Sequence, residues 1–420
     1  MVVVSVKSPK VPPEKQIKIG VNGDEAVAYA VKQSLVDVVA AYPITPQTII
    51  VERFSEFVAN GEVHTEFVPV ESEHSAMSAV VGAAAAGARA FTATASQGLA
   101  LMWEILYIAS SLRLPVVLAV VNRALSAPIN IHCDHSDAMG MRDAGWIQLF
   151  VENSQEAYDT TIQAFKIAED PNVLLPVAVN LDGFVLSHTL EDIYMLPDEA
   201  VHEFLGGYRK APKTFVDYLG KEVEVKLDPA NPLTFGPLDL YDYYFEHKMP
   251  QVEAMKRAKD VVKKVNEEWY ELSGRKYGDG VLDTYAVEDA DVIVTVLGST
   301  AGTVRHVVKK LRAKGEKVGV VRIRLFRPFP FDEIREVLKG AKVVGVMDRA
   351  ISFGSFGPSF MEISTALYSL KERPLLVNYV YGLGGRDVPP SLIEKMFEEL
   401  LAVAKEGEVK EPLKFLGVRE

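Results

Sequence analysis

The chain has 420 residues, 48% of them hydrophobic and 24% charged, which is more than one hydrophobic core organises, so at least two domains are expected. A formal charge of -12 with no dense Lys/Arg stripe argues against nucleic acid as a partner, and no apolar run reaches the roughly 20 residues of a membrane span, because Arg89, Glu104 and Arg113 interrupt the richest stretch. The single cysteine, Cys133, leaves no intrachain disulfide and no iron–sulfur cluster of the chain's own, and the opening MVVVSVKSPKVPPEKQ lacks the form of a secretory signal, so it reads as a loose N-terminal arm of a cytoplasmic protein.

From residue 17 to about 190, short apolar runs alternate with helix-like segments, the pattern of a mostly parallel sheet covered on both faces. The fold class is therefore α/β. Strands are expected at 36–41, 67–69, 90–94, 115–121 and 174–180, and helices at 24–34, 74–86, 99–110 and 154–169, with a further amphipathic helix in IIVERFSEFVA. The stretch 196–280 breaks the rhythm and reads as an arm followed by a charged linking helix over 251–272. A second α/β unit starts with DVIVTVLGSTAG at residue 291, continues through KVGVVRIRLF and KVVGVMD, and keeps its pattern to about residue 388. The expected division is 1–275 and 276–420.

Several turns carry chemistry-bearing side chains. In AYPITPQT (41–48), Pro43 and Pro46 stiffen a loop at a strand's carboxyl end, where open α/β sheets bind ligands, which makes Thr45 a candidate substrate-binding residue; a plain turn or cap residue is the competing reading. In VPVESEHSAMSAVV, Glu71, Glu73 and His74 stand at the start of an Ala-rich helix, where acids cap readily and could equally serve as acid or base. The turn Ser96-Gln97-Gly98 offers backbone N–H groups but matches no nucleotide-loop fingerprint. Arg123, just past an apolar strand with little acid near it in sequence, suits a carboxylate ligand or a distant ion pair. His132, Cys133, Asp134, His135 and Asp137 are metal-capable but lack metal-site spacing and a second cluster, so they read as a polar loop near an active site. GSTAG (298–302) reads as close strand and helix packing, since the following strand ends in arginines where a dinucleotide ribose would want an acid.

Taken together, YPITP (42–46), ESEHSA (71–76), TATASQGLALM (92–102) and VNRALSAPINI (121–131) resemble the alpha subunits of pyruvate:ferredoxin oxidoreductases. The resemblance extends through DHSDAMGMRDAGWIQLFVENSQEAYD, LLPVAVNLDGFVLSH, RPFPFDEI and GLGGRDV, and is weakest in the N-terminal arm and in 196–280. It implies a pyrimidine-binding domain of a thiamine diphosphate enzyme followed by a domain like the C-terminal one of transketolases. Carried over residue by residue, Glu73 matches the family glutamate that hydrogen-bonds N1′ of the cofactor's aminopyrimidine. Thr45 and Arg123 match the pair that holds the substrate carboxylate, and Pro43 lies at a cofactor-binding position.

The resemblance further implies a complex. Gly278-Asp279-Gly280 lacks the rest of a diphosphate motif and reads as a linker turn, so Mg²⁺ and a [4Fe-4S] cluster are expected on a beta subunit, with gamma and delta subunits completing an assembly that uses CoA and ferredoxin. No metal is expected on this chain. Within the family the resemblance favours pyruvate: Thr45 stands where an oxalate enzyme is expected to carry a second cation, and no extra cation for the distal carboxylate of 2-oxoglutarate is identified. The alternatives are 2-oxoglutarate, branched-chain 2-oxoacid, indolepyruvate and oxalate enzymes, and a non-catalytic scaffold subunit is the alternative from another class.

Overall fold

A computed structural model describes residues 8–216 and 220–419. The larger sheet has seven strands in the order Glu66–Pro69, Val38–Ala41, Ala90–Thr94, Val117–Asn122, Val177–Asp182, Ile147–Phe150 and Leu325–Arg327. The first six are parallel, and the last pairs antiparallel with Ile147–Phe150. Every residue of Val117–Asn122 and Val177–Asp182 is buried, which explains why these strands read as unbroken apolar runs rather than alternating ones. The second sheet runs Leu282–Tyr285, Val318–Ile323, Val292–Val296, Val343–Asp348, Leu375–Tyr381 and Leu413–Leu416, parallel except at its first strand.

The helices begin where the sequence supplies caps. Asn22 and Glu25 form a reciprocal capping box at Gly23–Gln33, Ser72 caps Glu73–Ala85, and Asn153 caps Ser154–Glu169. Glu73–Ala85 is largely alanine and other small residues, and Ala76, Met77, Val80 and Ala84 are buried, so the helix lies close on the sheet and brings its first residue to the strand ends.

Several expectations change. The helix expected at 99–110 is two, Ser96–Leu101 and Trp103–Ser111, meeting at Met102. The linking helix is longer, Tyr244–Ser273, and carries Pro250 inside it, one residue before the expected start at 251. The first residues of the arm, 1–7, lie outside the described residues, but the rest is not loose. Lys10 N and Val11 N donate to Glu271 O and Leu272 O, and Gln16 Nε2 donates to Val11 O and Ser273 O.

The largest departure lies in KVGVVRIRLF. Val318–Ile323 belongs to the second sheet, Leu325–Arg327 to the first, and the chain crosses between them at Arg324. The arginines at the crossing are buried against the first sheet's helix Ser154–Glu169: Arg322 Nη1 and Arg324 Nε donate to the two oxygens of Glu156, at 2.5 and 2.8 Å. Arg305 adds an ion pair to Glu152 at 2.7 Å, and Arg275 pairs with Asp159 at 2.6 Å. The second unit thus lends the first sheet an edge strand, and a seam of paired charges joins the two.

Candidate active site

The carboxyl ends of the first sheet's parallel strands carry the residues singled out in sequence. After Val38–Ala41 the chain enters the turn at 42–47, which Gln47 fastens down: its Oε1 accepts from Ile44 N at 3.1 Å and its Nε2 donates to Ala93 O at 2.8 Å. Gln47 is fully buried, while Pro43 and Thr45 stand exposed on the turn. Arg123 follows Val117–Asn122 and is 7% exposed. Its Nη1 donates to Thr45 O at 2.8 Å and its Nε to Asn130 O at 2.8 Å, so Thr45 and Arg123 are brought into direct contact. No carboxylate of the described residues ion-pairs with Arg123, and its Nη2 has no partner among them. Burial lowers the guanidinium pKa, with Asp137 pulling the other way.

The three polar residues at the next junction separate by role. Glu71 is exposed and accepts from Ser75 Oγ, and His74 faces Glu104 at 3.7 Å on the surface. Glu73 turns inward and is 6% exposed. Its carboxylate accepts no hydrogen bond from any described residue, and it packs over Gly98 so closely that a Cβ there would lie 2.7 Å from Glu73 Oε1. The same Cβ would collide with Thr94 Oγ1, which, like the amide nitrogen of Gln97, is buried without a partner. An open carboxylate, a glycine that leaves room, and unsatisfied polar atoms beside them suit a flat, polar heterocycle such as an aminopyrimidine.

The loop at 132–137, which reads in sequence as a polar loop, divides its side chains among three tasks. Asp134 binds Ser136, and His135 reaches Asp182 with its Nε2 at 2.7 Å. Asp137 binds the backbone of Ser96 and Arg123. Nothing in the spacing distinguishes Asp137 from its neighbours; the signal that it matters is its position in the first turn of Ser136–Gly140, aimed at two strand ends.

Asp182 ends its strand facing the second sheet, where it takes hydrogen bonds from Ser299 Oγ and, at 3.0 Å, Arg349 Nη1. Burial alone would raise its carboxyl, but His135, Arg349 and Ser299 outweigh it and hold the group well below the usual carboxylate range. GSTAG is thus more than strand and helix packing: Gly298, at φ +66°, lies so near that a Cβ would be 2.9 Å from Asp182 Oδ1. Ligand-type atoms of Cys133, His135 and Asp182 lie within 4.8 Å of one another, yet Arg349 already supplies the positive charge beside them, so an ion-pair centre accounts for the cluster. The second unit also supports the Arg123 loop, since Asn130 Nδ2 donates to Gly384 O at 3.0 Å and Gly385 N donates to Cys133 O at 2.7 Å.

Comparison with known proteins gives the family. Residues 29–267 match the family described as "Pyruvate flavodoxin/ferredoxin oxidoreductase, thiamine diP-bdg", and residues 290–393 match "Pyruvate:ferredoxin oxidoreductase core domain II". The chain belongs to the pyruvate:ferredoxin oxidoreductase family. It is 54% identical to pyruvate synthase subunit PorA of Thermotoga maritima over 96% of this chain and 98% of that one. It is 51% identical to the PorA subunit of Methanocaldococcus jannaschii over 89% and 92%. Ketoisovalerate oxidoreductase subunit VorA of Pyrococcus abyssi is 44% identical over 94% and 96%. Among solved structures, a 2-oxoglutarate:ferredoxin oxidoreductase from Magnetococcus marinus superposes with a TM-score of 0.72 at 22% identity, covering 93% of this chain and 66% of that one. A split-gene transketolase gives 0.51 at 13% identity, covering 92% of this chain and all of that one. These two show the fold: α/β, of the kind shared by 2-oxoacid oxidoreductases and transketolases. Among the described residues, no helix is long and apolar enough to cross a membrane.

Proposed function

We propose that this chain is the alpha subunit of a pyruvate:ferredoxin oxidoreductase, which decarboxylates pyruvate oxidatively with CoA to acetyl-CoA and CO₂ and passes the electrons to ferredoxin. The observation that carries the reading is Arg123, a buried guanidinium held by Thr45 O and Asn130 O with no carboxylate of its own. With Nε and Nη1 engaged, the fork is fixed in orientation and presents Nη2 to an incoming carboxylate. The Thr45 hydroxyl stands beside it on the exposed turn. Among the described residues no lysine and no second arginine is hydrogen-bonded to the 42–47 or 123–131 loops, where the distal carboxylate of 2-oxoglutarate would want one, and relatives named for pyruvate at 54% and 51% identity point the same way.

Bound thiamine diphosphate would supply the electron sink that lets a 2-oxoacid lose CO₂. Glu73 would hold a proton at N1′ of its aminopyrimidine, a task suited to a carboxylate that the protein leaves without a partner. Gly98 leaves the ring room, and Pro43 keeps the neighbouring turn stiff. Arg123 and Thr45 would orient the oxoacid, contributing position rather than chemistry.

The remaining parts belong to partners. A beta subunit would bring the Mg²⁺ and diphosphate site and a [4Fe-4S] cluster, and gamma and delta subunits would complete an assembly placed in the cytoplasm. The chain itself divides into 1–275 and 276–420, with Leu325–Arg327 of the second unit pairing at the edge of the first unit's sheet.

The test is anaerobic co-purification with the native partners followed by CoA-dependent reduction of a viologen dye with a panel of 2-oxoacids. Pyruvate is expected to give the highest kcat/KM. A preference for ketoisovalerate or 2-oxoglutarate would replace the substrate and keep the enzyme. Absence of both turnover and bound thiamine diphosphate would leave a scaffold subunit instead.

A further inference from the structure

We propose that Asp137 is a positioning residue: its carboxylate fastens the turn that carries Gly98 to the strand end that carries Arg123, so that the cofactor-facing and substrate-facing groups are held as one unit. The inference rests on the reading of Glu73 and Arg123 given above. Asp137 is 3% exposed and takes four hydrogen bonds. Oδ2 accepts from Ser96 N at 3.0 Å and Arg123 N at 2.9 Å, and Oδ1 accepts from Asn122 Nδ2 at 3.0 Å and Ala138 N at 2.7 Å.

A cap for its own short helix would need the Ala138 contact alone. The other three donors come from two other strand ends, one of which leads to Glu73 through Gly98 and the other to Arg123. The Ser96 contact also has local work to do. Ser96 sits at φ +47°, a left-handed conformation that is strained for a non-glycine residue and persists where the surroundings impose it. Only an ionised carboxylate accepts from four donors without presenting a hydrogen of its own. Burial pushes the Asp137 carboxyl up to about 6, against the pull of the Arg123 and Ser96 backbone donors and Asn122, which leaves it ionised at neutral pH.

The experiment uses the assembled complex carrying Asp137→Asn, Arg123→Ala or both, with KM for pyruvate and kcat measured separately. In Asp137→Asn an NH₂ group faces backbone donors, and KM is expected to rise about tenfold, with a smaller change in kcat. In the double variant, KM is expected to equal that of Arg123→Ala alone, because the clamp has lost what it positions. A KM for Asp137→Asn within twofold of wild type, or effects that multiply in the double variant, would overturn the assignment. If Arg123→Ala itself leaves KM for pyruvate unchanged, the reading of Arg123 fails and Asp137 falls with it; if Arg123→Ala raises KM and Asp137→Asn does not, the positioning role alone fails. Should Asp137→Asn not assemble, Asn122→Ala removes one donor and leaves the backbone in place. It is expected to raise KM about threefold, and an unchanged value there counts against the proposal.

Discussion

Five arginines are buried among the described residues, and they divide by what they face. Arg322 and Arg324 pair with Glu156 in the seam, Arg349 with Asp182 beside the second sheet, and Arg89 with Glu169 inside the first unit; Arg123, at the mouth of the first sheet, has no carboxylate partner. Glu73 is its anionic counterpart, buried and without a donor among the described residues. Leaving a buried charge unpaired costs stability, so the seam's charges are satisfied internally while those of the site stay open for ligands. Changes in the seam should therefore show in stability, and changes in the site in kinetics.

The sharpest test of that division is Glu73→Gln. Its carboxylate holds nothing in place, so the melting temperature and assembly should stay as in wild type while kcat falls on the order of 10²- to 10⁴-fold. Unaltered turnover would remove Glu73 from the chemistry. The converse is Glu156→Ala, which strands the Arg322 and Arg324 guanidiniums in the interior. Chemical denaturation should show a loss of about 3–5 kcal/mol, with kcat per folded complex unchanged. A loss below about 1 kcal/mol would mean the seam does not weld the two units.

Arg123→Ala comes next in size. Losing charge-assisted hydrogen bonds to the oxoacid carboxylate should raise KM for pyruvate about 10- to 100-fold, and Arg123→Lys should recover only part of it because the planar fork is lost. If KM is unaffected, the substrate carboxylate binds elsewhere.

Proton titration separates the same two regions. Glu156 is buried, which would raise its pKa, but Arg322 and Arg324 lower it below the ordinary glutamate value, and Asp182 is lowered likewise. A carboxylate depressed in the folded state contributes stability above its unfolded pKa of about 4, and that stability is lost as pH falls further. Asp137, pushed up to about 6 by burial and facing Arg123, Asp134 and Cys133, protonates earlier. Between pH 7.5 and 5.5, the melting temperature should therefore not fall, since protonating a carboxyl raised in the folded state adds stability, while KM for pyruvate rises. If melting temperature falls in step with the kinetics, the site and the seam are not separate.

What was legible in the sequence follows from the range of the forces involved. The central strands and the helix Ser154–Glu169 are set by local hydrophobic pattern and caps, and their positions follow from it. Ile147–Phe150 escaped notice because WIQLF is a short apolar island between polar runs, and Leu325–Arg327 because nothing local says that a continuous apolar run changes sheets. The candidate residues Thr45, Glu73 and Arg123 were visible as types in turns, but Arg123 Nη1 meets Thr45 O across 78 residues, a contact that only the fold makes. Asp137 was hidden by its neighbours, since a run of metal-capable side chains draws attention to what they could do together rather than to their three separate partners.

The finest distinction lies within Thr45 itself, whose backbone carbonyl holds Arg123 while its hydroxyl has no hydrogen-bond partner among the described residues. Thr45→Val keeps the shape and the carbonyl and removes only the hydroxyl. If the hydroxyl binds the oxoacid, KM should rise about 2- to 10-fold, the worth of one neutral hydrogen bond, and Thr45→Ser should restore it. If Thr45→Val behaves as wild type, the residue serves through its backbone alone, and the turn's role reduces to fixing the guanidinium, which any β-branched residue at this position would do equally well.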